Sequence, residues 1–244
     1  MRINQARLGD RLAGSKLVFF DCDGVLLDSN GVKLAAVEHA LAAYPSALRE
    51  RCKVSFKLNF GRSRRWHFEA FESLAGTAAE ADFVSASIAR YEHYLQQHYS
   101  AAPPVAGAAT LLQQLADCAV KCVVISGGNE KEINLALAAN GMDHYLARII
   151  GSPVAKAAAI RTLLEQYDCT PGETVFLGDA IADAEAAIVC NVPFLFVSGH
   201  ALVKRDALSQ CWPVGHWAGE VENLQPDAPI TRFNLVAQTI QEDS

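Results

Sequence analysis

The sequence predicts an α/β fold, a doubly wound, Rossmann-like parallel sheet into which a small helical domain is inserted. Short apolar runs that end in Gly, Ser or Asp are each followed by a segment with helical periodicity, a pattern typical of parallel strands joined by helices. The first run is continuously apolar, as in a strand that helices cover on both faces. Strands are predicted at residues 17–20, 122–125, 174–177 and 192–197.

The insertion is predicted from a change of pattern after the first strand. Between residues 28 and 103 the apolar residues recur at helical spacing, as at 32–37 and 83–95, and Pro103 and Pro104 close this segment. A helix over 107–116 then returns to the core. We therefore expect a core domain of residues 1–27 and 104–244 and a helical cap domain of residues 28–103. A last helix is predicted near 233–240, in a tail to which we assign no chemistry.

Composition limits the partners. The 244 residues are 51% hydrophobic and carry a net charge of −6, so no basic surface is expected for nucleic acid or an anionic membrane. No stretch approaches the roughly 18 apolar residues of a membrane span, and residues 1–16 contain no signal-peptide apolar run. The seven cysteines are odd in number and contain no Cys-x-x-Cys pair. This usage indicates a reduced, cytoplasmic protein.

Two carboxylates follow the first predicted strand. Asp21 and Asp23 come directly after residues 17–20, and Gly24 follows them. Ligands of open α/β sheets bind at the carboxyl ends of the strands. A turn capped by Asp21 is the alternative, because Asp-Gly pairs are common in hairpins, but the helical pattern that follows disfavours it. Two buried acids are costly unless they bind something, most simply a hard cation with oxygen ligands.

A second motif, Ser126-Gly127-Gly128, ends the next strand and is expected to lead into a helix. Free backbone N–H groups at a helix start attract phosphate, and the Ser126 hydroxyl can add a donor. A Ser or Asn before a helix is more often a simple N-cap, so this motif is ambiguous alone.

A third motif places a lysine at a helix start. Ser152 as N-cap and Pro153 as first helical residue predict that start, which puts Lys156 in the first turn. The helix dipole disfavours a cation there, so a nearby anion would explain Lys156. A solvated surface lysine explains the residue equally well.

A fourth motif repeats the pattern of the first. Gly178 and Asp179 follow the predicted strand at 174–177, and Asp183 comes four residues after Asp179. The alternative, Asp179 as an N-cap with Asp183 in the first helical turn, is favourable in itself.

Together the four motifs resemble those of the haloacid dehalogenase-like superfamily. They lie at successive strand ends, and therefore on one edge of one sheet, over roughly residues 17–197. The resemblance is to its phosphatase branch, similar to phosphoglycolate phosphatases and beta-phosphoglucomutases, in which a helical cap follows the first motif. Two positions depart from the common pattern: Ala180 stands where Ser or Thr is frequent, and Asn191 where Gly is usual.

The resemblance implies a Mg²⁺-dependent phosphomonoester hydrolase that acts on a small phosphorylated metabolite through an aspartyl-phosphate. Asp21 would be the nucleophile, and Asp23 would protonate the leaving group and then activate water. A phosphomutase is the nearest alternative, because it needs the same intermediate. A non-enzymatic phospho-aspartate switch is less favoured, since Asp23 and the cap would have no use in it.

The resemblance also implies how phosphate and metal are bound. The phosphoryl oxygens would be bound by Ser126, Gly127 and Lys156. Mg²⁺ would be held by four aspartates, with Asp23 contributing its backbone carbonyl. These metal residues are Asp21, Asp23, Asp179 and Asp183.

The cap contains a dense positive cluster. Three arginines, Arg62, Arg64 and Arg65, lie within residues 60–68. A solvated helix face is one interpretation. The other is that Arg64, with Arg62 beside it, contacts the substrate when the cap closes, since a planar guanidinium suits a second anionic group. The segment Gly61 to Arg64 is loosely similar to that of sugar-metabolism phosphatases of the same superfamily, so a phosphorylated sugar or sugar acid is expected.

Overall fold

A single seven-stranded sheet forms the centre of the fold. The computed structural model describes residues 6–209 and 216–232, and the strands follow the order β3-β2-β1-β4-β5-β6-β7. All neighbours pair in parallel except β7, which is antiparallel to β6. The strands are β1 Leu17–Phe20, β2 Lys121–Asn129, β3 Arg148–Ser152, β4 Thr174–Gly178, β5 Phe194–Val197, β6 Ala218–Val221 and β7 Thr231–Arg232. The predicted α/β class with a parallel sheet is confirmed.

Helices cover both faces of the sheet. In β1, Leu17 and Phe19 belong to one apolar cluster while Val18 and Phe20 belong to the other, and all four side chains are inaccessible to solvent. None of the described helices is both long and apolar enough to span a membrane. The helices are α1 Leu8–Ala13, α2 Asn30–Ala40, α3 Ser46–Leu58, α4 Arg64–Ala75, α5 Phe83–His98, α6 Ala108–Asp117, α7 Glu130–Ala139, α8 Lys156–Gln166, α9 Ile181–Val189 and α10 Arg205–Ser209.

The helices α2 to α5 lie in the segment predicted to be a cap. Aromatic residues of this segment, among them Phe56, Phe68 and Phe71, are buried. The chain enters and leaves the segment side by side: the Asp28 amide donates to the Pro103 carbonyl at 2.8 Å. These contacts support cap boundaries at residues 28 and 103, which stay a prediction.

Some element boundaries differ from those predicted. Residues 126–129 extend β2, and α7 begins at Glu130 because the Asn129 side chain caps it by accepting from two amides of its first turn. Ser152 ends β3 instead of capping a helix, and α8 begins at Lys156 after Ala155. The edge strand β3, which is partly exposed, is not evident from the sequence pattern, and neither are β6 and β7. The helix predicted near 233–240 lies outside the described residues.

Candidate active site

Three buried carboxylates meet at the carboxyl edge of the sheet. Asp21 follows β1 and Asp179 follows β4, and these strands are direct neighbours. Asp183 reaches the same point from the first turn of α9, where its Oδ2 accepts from the Ala180 amide at 3.1 Å. Oxygens of the three side chains lie within 4.8 Å of one another, and each residue is at most 1% exposed. The structure therefore brings three of the predicted metal residues together.

Lys156 lies inside this group. Its Nζ donates to Asp21 Oδ1 at 2.6 Å and to Asp183 Oδ1 at 2.5 Å, and the residue is 8% exposed. The interpretation of Lys156 as a solvated surface residue is therefore wrong. Its position at the start of α8 is explained by the carboxylates that face it, whose charge outweighs the unfavourable helix dipole.

One cation does not balance these carboxylates. Burial, together with the neighbouring Asp183 and Asp23, raises the pKa of Asp21 to about 7 although Lys156 opposes the shift. Burial and the negative charges of Asp21 and Asp183 raise the pKa of Asp179 well above its ordinary value. Asp179 Oδ1 is also buried without a hydrogen-bond partner. An unpaired oxygen in a set of hard oxygen donors fits a Mg²⁺ ion.

Gly24 lets the chain after β1 approach Asp179 closely. It adopts φ +76°, and a Cβ atom there would lie 2.1 Å from Asp179 Oδ2 and 2.3 Å from Asn30 Nδ2. The Asn30 amide in turn donates to Asp179 Oδ2 at 2.7 Å. A larger residue at position 24 would therefore displace the carboxylate that follows β4.

Asp23 has a separate set of partners. Its carboxylate accepts from Ser29 Oγ at 2.6 Å, from the Tyr99 hydroxyl at 2.8 Å and from Lys33 Nζ. Burial alone would raise the pKa of Asp23, but the charge of Lys33 and these donors outweigh it and lower the pKa. Asp23 is therefore held as an anion.

These partners of Asp23 were not found by sequence reasoning. Ser29 and Lys33 lie around the start of α2, whereas Tyr99 follows α5, so their convergence depends on how the inserted helices pack. The available signal was Lys33, a charged residue in the otherwise apolar segment 32–37 that is nevertheless only 8% exposed.

The end of β2 contacts the cap segment. Ser126 is 2% exposed, and its Oγ accepts from the Gly128 amide at 3.1 Å. A Cβ atom on Gly127 would lie 2.3 Å from the Gly61 carbonyl oxygen, so only glycine permits this approach. Ser126, Gly127, Asp21 and Asp23 line one side of a cavity. The other side of this cavity is formed by residues of the cap segment.

The two predicted cap arginines line this cavity and form ion pairs with core helices. Arg64 contacts Glu132 of α7 in a bidentate pair, at 3.1 and 2.6 Å, and also Glu92 of α5 at 2.7 Å. Arg62 Nη2 contacts Glu185 of α9 at 2.9 Å. These pairs hold α4 and the loop before it against the sheet edge that carries Asp21.

Comparisons with known proteins agree with this fold and site. The chain matches the haloacid dehalogenase-like hydrolase model over residues 18–197. Solved structures of similar fold include a hydrolase from Pseudomonas syringae, at 18% identity over 87% of this chain and 95% of that one, with a TM-score of 0.71. A predicted phosphatase from Clostridium acetobutylicum is 19% identical over 80% of this chain and 90% of that one, with a TM-score of 0.66.

A predicted phosphoglycolate phosphatase from Haemophilus somnus is 18% identical over 76% of this chain and 86% of that one, with a TM-score of 0.63. No curated protein is similar enough to count as a match. The matched segment begins in β1 and ends with β5, so it includes every strand end that carries a site residue. On this evidence the chain belongs to the haloacid dehalogenase-like hydrolase family.

Proposed function

We propose that this enzyme is a Mg²⁺-dependent phosphomonoesterase that hydrolyses a small phosphorylated metabolite through a phosphorylated Asp21. The observation that carries the proposal is the buried Asp21 carboxylate, oriented by Lys156 and opening into a cavity beside Ser126 and Gly127. A carboxylate in such a position can attack a phosphoryl group whose oxygens the other residues bind. A hydrolase family with phosphatases among the similar folds supports this chemistry.

The reaction has two steps at phosphorus. In the first, an oxygen of Asp21 bonds to phosphorus, the ester P–O bond breaks, and the leaving alkoxide takes a proton from Asp23. In the second, water bonds to phosphorus, its proton goes to Asp23, and the bond to Asp21 breaks to release inorganic phosphate. Lys156 and Ser126 stabilise the charge on the phosphoryl oxygens in both steps.

Asp23 needs a different proton state in each step. Its contacts with Lys33, Ser29 and Tyr99 favour the carboxylate, which is the form that accepts the proton of water. The first step requires the protonated form. We expect the anionic ester to draw Lys33 partly away from Asp23 when it binds, and so to raise the pKa of that carboxyl.

A metal ion would complete the site. The carboxylates of Asp21, Asp179 and Asp183 and the backbone carbonyl of Asp23 would hold Mg²⁺, and the unpaired Asp179 oxygen supports this assignment. When bound, the ion would offset the negative charge of the phosphoryl group.

Residues 28–103 would act as a cap that closes over the substrate. The pairs Arg64–Glu132 and Arg62–Glu185 connect this segment with the core and would hold the closed form. Direct contact of Arg62 and Arg64 with the substrate stays a prediction, which is supported by their place in the cavity wall.

The partner and location follow from the same features. A cap that opens and closes over the sheet edge would admit a small phosphorylated metabolite and would exclude a folded phosphoprotein from Asp21. We also propose a cytoplasmic location, supported by the six described cysteines, all of which are free thiols.

Asp23→Asn should separate the two steps. With p-nitrophenyl phosphate we expect a burst of nitrophenolate equal to the enzyme concentration, because this leaving group departs without a proton, followed by a steady state slowed about 100-fold or more. With an alkyl phosphate the burst itself should disappear. Stopped-flow absorbance and rapid-quench phosphate assays check this. If the first step is slowed equally with p-nitrophenyl phosphate and with the alkyl phosphate, Asp23 is a structural residue and not the acid.

The function itself is tested by phosphate release from p-nitrophenyl phosphate and a set of sugar phosphates, with Mg²⁺ and with a chelator. We expect inorganic phosphate in the presence of Mg²⁺ only. Conversion of a sugar phosphate to its isomer without phosphate release would indicate a phosphomutase instead. Full activity after exhaustive chelation would contradict the proposal.

A further inference from the structure

The cap wall of the active-site cavity contains two polar groups without partners. His67 and Tyr91 line this wall beside the apolar side chains of Phe56 and Phe60. His67 Nδ1 is buried and accepts or donates no hydrogen bond. Among the described residues the Tyr91 hydroxyl has no hydrogen-bond partner either. Of the two, only His67 Nδ1 is a buried atom without a partner, and this state is rare unless a ligand satisfies the atom.

His67 is an uncharged hydrogen-bonding group in this setting. The residue is only 2% exposed. The centroid of its ring lies 4.5 Å from that of Phe56 and 6.1 Å from that of Phe71. Burial, followed by the charges of Lys33 and Arg62, lowers its pKa to about 3. A neutral imidazole has one donor and one acceptor nitrogen and attracts no anion by charge.

The cations that line the cavity from the cap side already have carboxylate partners. Lys33 pairs with Asp23 and Arg62 with Glu185. Arg64 has two partners, Glu92 and Glu132. These three cations thus face four carboxylates, so the wall offers no net positive charge to a second anionic group on the substrate, although Arg62 Nε is buried without a hydrogen-bond partner.

We propose that the cap wall recognises an uncharged, hydroxylated leaving group, to which His67 and Tyr91 form hydrogen bonds. The substrate is then the phosphate monoester of a small polyol or neutral sugar, and not of a sugar acid. This inference rests on the proposed phosphatase function and specifies its substrate class. The phosphoryl group is bound by the core, and the hydroxyl-bearing end faces α4 and α5.

A site of this kind discriminates against analogues that lack the hydroxyl. Such an analogue leaves the polar groups of the wall unpaired, whereas the correct substrate satisfies them. A substrate with a carboxylate in the same place would be disfavoured as well, because the cations that it would meet are already paired with carboxylates.

Three esters of similar size test the preference of the wild-type enzyme. Glycerol 1-phosphate carries hydroxyl groups, n-propyl phosphate lacks them, and 2-phosphoglycolate carries a carboxylate. We expect kcat/KM for glycerol 1-phosphate to exceed that for each of the other two by about tenfold or more. A preference for 2-phosphoglycolate, or no preference between glycerol 1-phosphate and n-propyl phosphate, would overturn the inference.

Variants then test whether His67 and Tyr91 are the source. His67→Leu and Tyr91→Phe should each bring the ratio of kcat/KM between glycerol 1-phosphate and n-propyl phosphate close to one. His67→Gln, which keeps a hydrogen-bonding side chain, should retain part of the ratio. His93→Leu is the matched control, since His93 is exposed on α5, and it should leave the ratio unchanged.

The outcomes are distinguishable from failure of the proposed function. If the wild-type enzyme releases no phosphate from p-nitrophenyl phosphate with Mg²⁺, the phosphatase proposal fails. If it does release phosphate but His67→Leu and Tyr91→Phe lower kcat/KM for all esters equally, only this inference fails. Tyr91→Phe removes a single oxygen atom, so its result remains decisive if a His67 variant does not fold.

Discussion

Asp21→Asn is expected to lower kcat by more than about a thousandfold with every phosphate ester. An amide neither attacks phosphorus nor contributes an anionic metal ligand. The backbone of Asp21 is fixed independently by its amide, which donates to the Leu177 carbonyl at 2.8 Å. The fold should therefore survive a substitution that keeps the side-chain volume. Steady-state phosphate release and a thermal melt check the two parts of this expectation.

Asp117→Asn is a suitable control for this variant. Asp117 is exposed at the end of α6, and its carboxylate accepts a hydrogen bond from Gln113 on the same helix at 2.9 Å. It should keep full activity. An Asp21→Asn enzyme that retains more than a trace of turnover, once reversion and contamination are excluded by sequencing and a separate preparation, would remove Asp21 from its role as nucleophile.

Mg²⁺ is expected to raise the melting temperature by about 5–10 °C at 100 times its Kd.

In metal-free protein the pKa of Asp21 is about 7 against an ordinary 3.8, so the folded state holds more protons than the unfolded state between these pH values. Stability contributed by this group therefore falls as the pH rises through that window. A bound divalent cation should reverse the fall by favouring the carboxylates.

Asp179→Asn should raise the stability of the metal-free protein and remove most of the stabilisation by Mg²⁺. Removing one of three crowded carboxylates relieves repulsion, so the variant is expected to melt above the wild type in a chelator at pH 7.5 and to gain little from Mg²⁺. Differential scanning calorimetry measures both quantities. Asp143→Asn, an exposed substitution, controls for general charge effects. Equal stabilisation of the wild type and Asp179→Asn by Mg²⁺ would show that the ion binds elsewhere.

The core site was accessible from the sequence because its parts follow local rules. Each site residue stands directly after an apolar strand or in the first turn of the following helix, and parallel strands must bring their carboxyl ends to one edge. Asp21, Asp179 and Asp183 therefore could be placed together without knowledge of their contacts. Lys156 could be placed beside them as a cation that only a nearby anion would explain.

Local capping rules failed where tertiary contacts decide the backbone. Ser152 and Pro153 have the composition of a helix start, yet Ser152 pairs with Asn129 at the end of the β2–β3 ladder and the helix begins at Lys156. Likewise, Asp179 is a residue type that is common at N-caps, but Ala180 takes that position. The Asp179 carboxylate instead accepts a hydrogen bond from the Asn30 side chain. In both places a ladder or side-chain contact from a distant segment outweighs the local preference.

The environment of Asp23 and the cap wall could not be predicted from spacing. Lys33 and Tyr99 are separated by 66 residues and reach Asp23 only because α2 and α5 pack together. Arg64 of α4 likewise reaches its partner Glu132 only because the cap segment contacts α7 of the core. The positive cluster could be recognised from the sequence, but the carboxylates that pair with it could not.

The most direct test of the account is to locate the phosphoryl group during turnover. Asp23→Asn should accumulate the phosphoenzyme, because water is no longer activated in the second step. After mixing with p-nitrophenyl phosphate, rapid acid quench and peptide mass spectrometry, we expect one phosphoryl group on the peptide that contains Asp21, and none in a variant that also carries Asp21→Asn. A burst of nitrophenolate without a modified peptide, or a phosphoryl group on Ser126 or another residue, would contradict the account.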